Sequence, residues 1–142
     1  MIYVSVCSLV ILISLAAIHV VWALGSSWPA EDEESLAQMV LGSSRRMPPR
    51  IASWVVAMAM TGFFIIVMMN AGWLPTPFAA YILQIPLAGV MAIFLGRGLW
   101  GFFLDRRLRP STIGTPFERL NLIYYSPLCM VLAILLAIQL VA

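Results

Sequence analysis

Ionisable and polar side chains interrupt long apolar stretches at three places in this chain. His19 lies in "IHVVWALG", and Arg97 lies in "RGLWGF". Glu118, Asn121 and Tyr125 are spaced three and four residues apart, which places them on one face of a helix. An imidazole can exchange a proton near neutral pH, and a guanidinium binds anionic oxygens. These residue types indicate either a binding pocket for an anionic group or a site of proton transfer.

The composition shows what surrounds these groups. Apolar residues make up 63% of the 142 residues and charged residues 10%, whereas about one quarter of a typical soluble domain is charged. The chain is therefore predicted to be an integral membrane protein. The apolar stretches use most of its length, which leaves little room for a soluble catalytic domain.

Four apolar stretches reach the roughly 20 residues that a helix needs to cross a bilayer core about 30 Å thick. The first has no basic start and is longer than the apolar core of a signal peptide, so we expect it to be retained as a span. The predicted fold class is all-α, an integral membrane four-helix up-down bundle. It forms a single transmembrane domain over residues 1–142, with helices at about 2–24, 51–71, 78–104 and 116–141.

The arginines indicate the topology. The chain has no lysine, and the first and third loops with their borders hold every arginine except Arg97, namely Arg45, Arg46, Arg50, Arg106, Arg107, Arg109 and Arg119. By the positive-inside rule both loops are cytoplasmic, which gives an N-out, C-out orientation. The first loop also contains "WPAEDEESLAQMVLG", which predicts a short interfacial helix over residues 29–41. The alternative for this segment is a solvated acidic loop.

In this topology His19 and Arg97 lie at similar depths, about 9 Å and about 10 Å from the cytoplasmic ends of their helices. In the functional interpretation the cluster is a pocket open to the cytoplasm, because a charge inside a membrane must face the bundle interior or water. In the structural interpretation Arg97 reaches the headgroups or hydrogen-bonds Asn121 and Tyr125, and His19 ties the first helix to a loop carbonyl. The candidate polar pocket comprises His19, Trp22, Arg97, Glu118, Asn121, Tyr125 and Ser126.

Three motifs, "IHVVWALGSSW", "RGLWGF" and "TPFERLNLIYYSPLC", resemble those of a bacterial family of small four-helix membrane proteins of unknown function. The likeness covers nearly the whole chain. It implies a four-helix fold in the bacterial cytoplasmic (inner) membrane, and it implies no activity. Asn121 stands where the family usually has aspartate, and "RGLWGF" lacks an acid after Arg97. The matching positions are His19, Trp22, Arg97, Phe117, Tyr125, Ser126, Pro127 and Cys129.

We expect an uncharacterised, non-catalytic membrane protein that binds a lipid-like or amphipathic ligand, or a membrane partner, through this cluster. The alternative is a small membrane enzyme or oligomeric transporter that uses His19 for proton transfer and Arg97 as an anion anchor. An enzyme would need a second acid or base, and only Glu118, Tyr125 or Asp105 is near enough. Transport would need a homo-oligomer, since no internal repeat is visible.

No catalytic residue, metal site or cofactor is predicted. The single histidine cannot supply two imidazole ligands to a haem. The expected partners are the lipid bilayer, a lipid-like ligand, and a second copy of the chain or another membrane protein. Nucleic acid is not expected, because the arginines border the membrane.

Overall fold

The computed structural model describes residues 1–141, which form five α-helices and their connecting turns without any strand. Four of the helices are long and apolar enough to cross a membrane. The all-α class is therefore confirmed, and the four spans indicate a multi-pass membrane protein. The helices are α1 (Ile2–Ala23), α2 (Glu33–Val40), α3 (Arg50–Asn70), α4 (Ala80–Leu108) and α5 (Pro116–Val141).

The four long helices pack as two pairs. The most extensive contacts are between α1 and α3 and between α4 and α5, and smaller contacts join α1 to α5 and α3 to α4. The start of α1 lies beside the ends of α3 and α5. This end lies away from the loops that carry most of the arginines, and we call it the opposite end of the molecule. The arginine-rich end carries α2, the loops around it and the turn between α4 and α5.

A common apolar core joins the two pairs. Every long helix contributes to it, because each carries apolar residues on its inner face as well as on its outer face. The outer faces also expose large apolar side chains, such as Ile13, Ile85 and Ile134, as a surface in contact with lipid requires. The buried core consists of Leu9, Leu12, Val67, Leu87, Val90, Phe94, Leu132, Ala133 and Leu136.

Glycine ends α1 and allows the chain to turn towards α2. Gly25 has a φ of 94°, a left-handed conformation that favours glycine. Its N–H donates to the carbonyl of Trp22 at 2.9 Å, and the N–H of Ser26 donates to the carbonyl of Val21 at 3.2 Å. These two bonds form a Schellman motif, which satisfies carbonyls that the helix end leaves free.

An aspartate cap starts α2. One carboxylate oxygen of Asp32 accepts the N–H of Ser35 at 2.7 Å, and Glu33 and Glu34 occupy the first turn. A cap at this position satisfies an otherwise free N–H, and acids in the first turn suit the positive end of the helix dipole. The helix in the first loop therefore begins at Glu33, and residues 29–32 precede it as turns.

Candidate functional site

A cavity of about 680 Å³ lies between the two helix pairs in the arginine-rich half of the molecule. We call it the chamber. Its volume lies within the range of about 300–1,000 Å³ that is typical of small-molecule sites, and its wall is mostly apolar. The chamber is lined by Leu15, Ile18, His19, Trp22, Trp28, Pro29, Leu36, Met39, Val40, Val56, Met60, Phe94, Arg97, Tyr124, Tyr125, Leu128, Cys129 and Leu132.

Helical spacing builds the walls of the chamber. On α1 the lining residues are spaced three or four apart from Leu15 to Trp22, and on α3 Val56 and Met60 are four apart. Residues at these spacings share one face of a helix. The α5 wall runs from Tyr124 to Leu132. Each helix therefore presents one continuous stripe to the chamber.

The short helix α2 covers the chamber. Leu36, Met39 and Val40 line it on the side of the arginine-rich end. Leu36 is almost fully buried, at 2% exposure. The polar residues of α2 face away from the chamber, since Glu33 and Glu34 are exposed. This helix is therefore amphipathic, and its apolar face is used inside the molecule.

Arg97 belongs to a hydrogen-bonded group that joins α4 to α5. Its Nη2 donates to Asn121 Oδ1 at 3.0 Å, and the Ser126 hydroxyl donates to the same oxygen at 3.1 Å. Asn121 Nδ2 in turn donates to the carbonyl of Gly101 at 3.1 Å. Asn121 and Ser126 are buried. The amide of Asn121 thus uses both its oxygen and its nitrogen to join the two helices.

Two π-helical segments position this group. They cover Trp100–Leu104 in α4 and Asn121–Tyr125 in α5, and they contact each other. A π-turn widens the helix, and such turns are frequent at functional sites. A Cβ on Gly101 would lie 2.8 Å from Arg97 Nη1 and would overlap the Ser126 hydroxyl. Glycine is therefore required where the two helices meet.

His19 faces the chamber with one nitrogen already bonded. Its Nδ1 lies 2.7 Å from the carbonyl of Leu15, four residues earlier in α1, so the bond predicted to a loop carbonyl is made within the helix instead. A carbonyl can only accept, so Nδ1 carries the hydrogen, and the structure gives Nε2 no hydrogen-bond partner within residues 1–141. The ring packs edge-on against Trp22 with centroids 5.0 Å apart. Trp22 Nε1 donates to the carbonyl of Trp28 at 2.8 Å, which holds the first loop over the chamber.

Two side chains bind the carboxyl end of α2. Tyr125 donates its hydroxyl to the carbonyl of Met39 at 3.2 Å, and Arg109 Nη2 donates to the carbonyl of Leu41 at 2.6 Å. The Arg109 guanidinium also lies 5.3 Å from the centre of the Phe117 ring. Carbonyls at a helix end have no partner within the helix, so these donors fix the position of α2 over the chamber.

Asp105 holds Arg109 in place. Its carboxylate is 3.2 Å from Arg109 Nη1 and accepts the Thr112 hydroxyl at 3.3 Å. Asp105 is buried, at 5% exposure. The sequence alone indicates Asp105 only as an acid for an enzyme and Arg109 only as one of the arginines that set the topology. The spacing of four residues between them is the signal that identifies this pair.

The structure brings four of the seven candidate residues to the chamber wall and two more to the Arg97 group behind it. It places the seventh elsewhere. Glu118 accepts the N–H of Gly114 at 2.8 Å and pairs with Arg106 at 3.4 Å, so it closes the turn between α4 and α5. The wall residues are His19, Trp22, Arg97 and Tyr125, and the residues behind them are Asn121 and Ser126.

Part of the chamber was not predicted from the sequence. Val56 and Met60 line it from α3, but apolar residues inside a span carry no sequence signal that separates a cavity wall from a lipid-facing surface. Within residues 1–141, no group of three or more histidine, cysteine or acidic side chains is arranged to hold a metal ion.

The model of DUF3995, a protein family of unknown function, matches residues 12–136. The chain belongs to this family. No curated protein and no solved structure matches it. The matched region includes every residue that lines the chamber, so the chamber lies within the part of the chain that the DUF3995 model describes.

Proposed function

We propose that this DUF3995 chain is a non-catalytic inner-membrane protein that holds a lipid-like or amphipathic ligand in the chamber. The observation that carries the proposal is the chamber itself, a cavity of about 680 Å³ within a chain of 142 residues. Its wall is mostly apolar and includes a few polar groups, among them His19, Arg97 and Tyr125. An apolar chain with a polar head matches this distribution.

The arrangement of acids and bases favours binding over catalysis. Asp105 pairs with Arg109, Glu118 pairs with Arg106, and neither acid lines the chamber. The Tyr125 hydroxyl donates to a backbone carbonyl. Within residues 1–141 no carboxyl group lines the chamber beside His19, and the Tyr125 hydroxyl is already bonded, which disfavours the general acid–base catalysis of the alternative mechanism.

We further propose an up-down bundle with N-out, C-out topology in the bacterial inner membrane. Seven arginines lie in the two loops at the arginine-rich end or at their borders, and the positive-inside rule assigns such loops to the cytoplasm. The chamber then lies in the cytoplasmic half. The bilayer covers the outer faces, where a second copy or a membrane partner would also bind. Reporter fusions at both termini test this topology, and a cytoplasmic signal from either would contradict it.

Filling the chamber tests the ligand proposal. Val56→Trp places an indole in the chamber, whereas Val55→Trp places the same ring on an adjacent exposed position of α3. The measurement is mass spectrometry of lipids retained after purification in mild detergent. We expect retention to fall about tenfold in Val56→Trp, since each 1.4 kcal/mol of lost binding is tenfold. Val55→Trp should retain the wild-type amount.

Thermal unfolding of both variants provides the control for folding. Equal retention by Val55→Trp, Val56→Trp and wild type, with all three folded, would place the bound lipid outside the chamber. The proposed function would then be wrong.

A further inference from the structure

No ion pair neutralises the charge of Arg97 in the part of the chain that the structure describes. Within residues 1–141 the three ion pairs involve other arginines, namely Arg45, Arg106 and Arg109. The only hydrogen bond of the Arg97 guanidinium in that part of the chain goes to the neutral amide oxygen of Asn121. A guanidinium has five N–H donors, so most of its donor capacity is available.

The unpaired charge of Arg97 lies inside a helix that is long and apolar enough to cross a membrane. Arg97 is inside the span Ala80–Leu108, and among residues 1–141 it is the one charged side chain that lines the chamber. A charge inside a membrane is expensive unless it is paired or reaches water. An anionic group in the chamber would supply the missing negative charge and accept the remaining N–H donors.

A second hollow, which Arg97 also lines, has the same sign of charge. It has a volume of about 560 Å³ and includes Arg97, Asp105 and Arg109 in its lining. The charges of Asp105 and Arg109 offset each other in their ion pair, and Arg97 leaves a net positive charge. Both spaces beside the guanidinium therefore favour an anion.

The length of the chamber limits the apolar part of the ligand. Its α5 wall runs from Tyr124 to Leu132, which is about 12 Å at a rise of 1.5 Å per residue. An extended chain advances about 1.2 Å per bond, as the polypeptide backbone does. The wall therefore accommodates about ten carbons. A single ten-carbon chain with a small head falls within the size that a chamber of this volume holds.

Resting on the proposed function, we infer that the ligand is a single-chain anionic amphiphile whose carboxylate or phosphate head binds Arg97. Its tail of about ten carbons lies along α5 towards Leu132 and Phe94. His19 lines the same chamber, but while Nδ1 carries the hydrogen its Nε2 can only accept a hydrogen bond, so Arg97 and not His19 binds the anionic oxygens of the head.

Cys129 provides a direct measurement of occupancy. It lines the chamber, and the other cysteine of the chain, Cys7, is exposed on α1. In a Cys7→Ser background in zwitterionic nanodiscs, a bound ligand slows the reaction of Cys129 with a maleimide. The probes are decanoate, decyl phosphate and decanol, each compared at its measured concentration in the nanodisc membrane.

We expect decanoate or decyl phosphate to protect Cys129 at a concentration at least tenfold below that of decanol, equivalent to about 1.4 kcal/mol. The anion that protects more strongly identifies the head group. Arg97→Gln keeps an amide donor for Asn121 but removes the charge, and it should abolish the preference. The control is Arg107→Gln, an exposed arginine outside the chamber, which should retain it.

Equal protection by decanol would overturn the inference and leave the proposed function intact, because the chamber would bind chains without selecting the head. A preference that persists in folded Arg97→Gln would also overturn it. Protection by none of the three probes would contradict the proposed function as well. If Arg97→Gln does not fold, the comparison of the three probes on the Cys7→Ser protein still decides whether the chamber prefers an anionic head.

Discussion

The two ends of the molecule use polar side chains in different ways. At the opposite end Gln139 on α5 donates to Ser8 on α1 at 3.0 Å and accepts the Ser5 hydroxyl at 3.3 Å. These bonds connect one helix pair to the other. At the arginine-rich end the Arg97–Asn121 bond connects α4 to α5 within a single pair.

This difference explains where the chamber lies. Within residues 1–141 no side-chain hydrogen bond joins α1 or α3 to α4 or α5 in the arginine-rich half, whereas two such bonds join α1 to α5 at the opposite end. Polar side chains hold transmembrane helices together. The pairs are therefore held together at one end and are left apart at the other, where the chamber forms and α2 covers it.

The largest effect is expected from Gly101→Val, because the arginine-rich end depends on close approach of α4 and α5. A side chain at this position overlaps the Ser126 hydroxyl and displaces Arg97. Overpacking alone costs about 1–3 kcal/mol, and the Arg97 group is lost with it. We expect a decrease of about 3 kcal/mol or more in the free energy of unfolding, measured in mixed detergent micelles.

The matched control is Gly96→Val on the same helix. No atom outside its own turn lies within 4 Å of a Cβ at this position, so the added side chain faces open space. A loss of stability as large as that of Gly101→Val would mean that a β-branched residue in α4, and not the contact with α5, causes the effect.

A pair of leucine substitutions compares the two ends directly. Asn121→Leu leaves the Arg97 guanidinium and the Gly101 carbonyl without their partner, so we expect a loss of about 2 kcal/mol. Gln139→Leu removes bonds between neutral groups, and Ser8 retains its bond to the Val4 carbonyl. Interhelical bonds of this kind contribute about 0.6 kcal/mol on average. If both variants lose the same free energy of unfolding in this assay, the polar bonds at the arginine-rich end do not stabilise the fold more than those at the opposite end.

Removal of a single hydroxyl should loosen α2, the helix that covers the chamber, with a smaller effect than the substitutions above. Tyr125→Phe removes the hydroxyl that donates to the Met39 carbonyl, a bond worth about 1 kcal/mol. We expect about fivefold faster hydrogen exchange of α2 amides, measured by mass spectrometry. Tyr124→Phe is the control, because Tyr124 is exposed, at 62%. Identical exchange in the two variants would show that the Tyr125 hydroxyl does not hold α2.

The spans could be predicted from sequence because apolar length alone decides them. The chamber could not, because its position depends on which helix faces meet, and apolar residues such as Met60 look the same on a wall or in lipid. The bond between Arg97 and Asn121 was one of the expected alternatives. Tyr125 was also considered as a partner of Arg97, but it bonds α2 instead, since α2 folds back over α5.

The π-helical segments had no signal in the sequence. Their position depends on the contact between α4 and α5, where the Gly101 carbonyl finds a donor in Asn121. Local helix propensity predicts a regular α-helix, because a wider π-helical turn is stabilised only by the contacts that the helix makes with its packing partner. For the same reason Glu118, which shares a helix face with Asn121, could not be assigned to the turn that it closes.

The smallest effect is expected at Asp32, at the exposed start of α2 and away from the bonds that fix the other end of this helix. The backbone N–H of Ser35, the largest of the causes, lowers the pKa of Asp32 by bonding its charged form. A carboxyl whose pKa is lower in the folded than in the unfolded state stabilises the fold above its unfolded pKa. This contribution is lost as the pH falls through the folded pKa.

Because an aspartate free of such bonds has a pKa of 3.8, the start of α2 should be fully capped at neutral pH and should loosen only below about pH 4. The Ser35 amide shift in NMR should follow this titration with a midpoint below 3.8. Asp32→Asn keeps a side-chain oxygen at the cap and should remove the titration. If the amide still titrates in Asp32→Asn, another acid controls this end of α2. Since Tyr125 and Arg109 hold the carboxyl end, acid should loosen the cover from its first turn only, with the Met39 and Leu41 contacts retained.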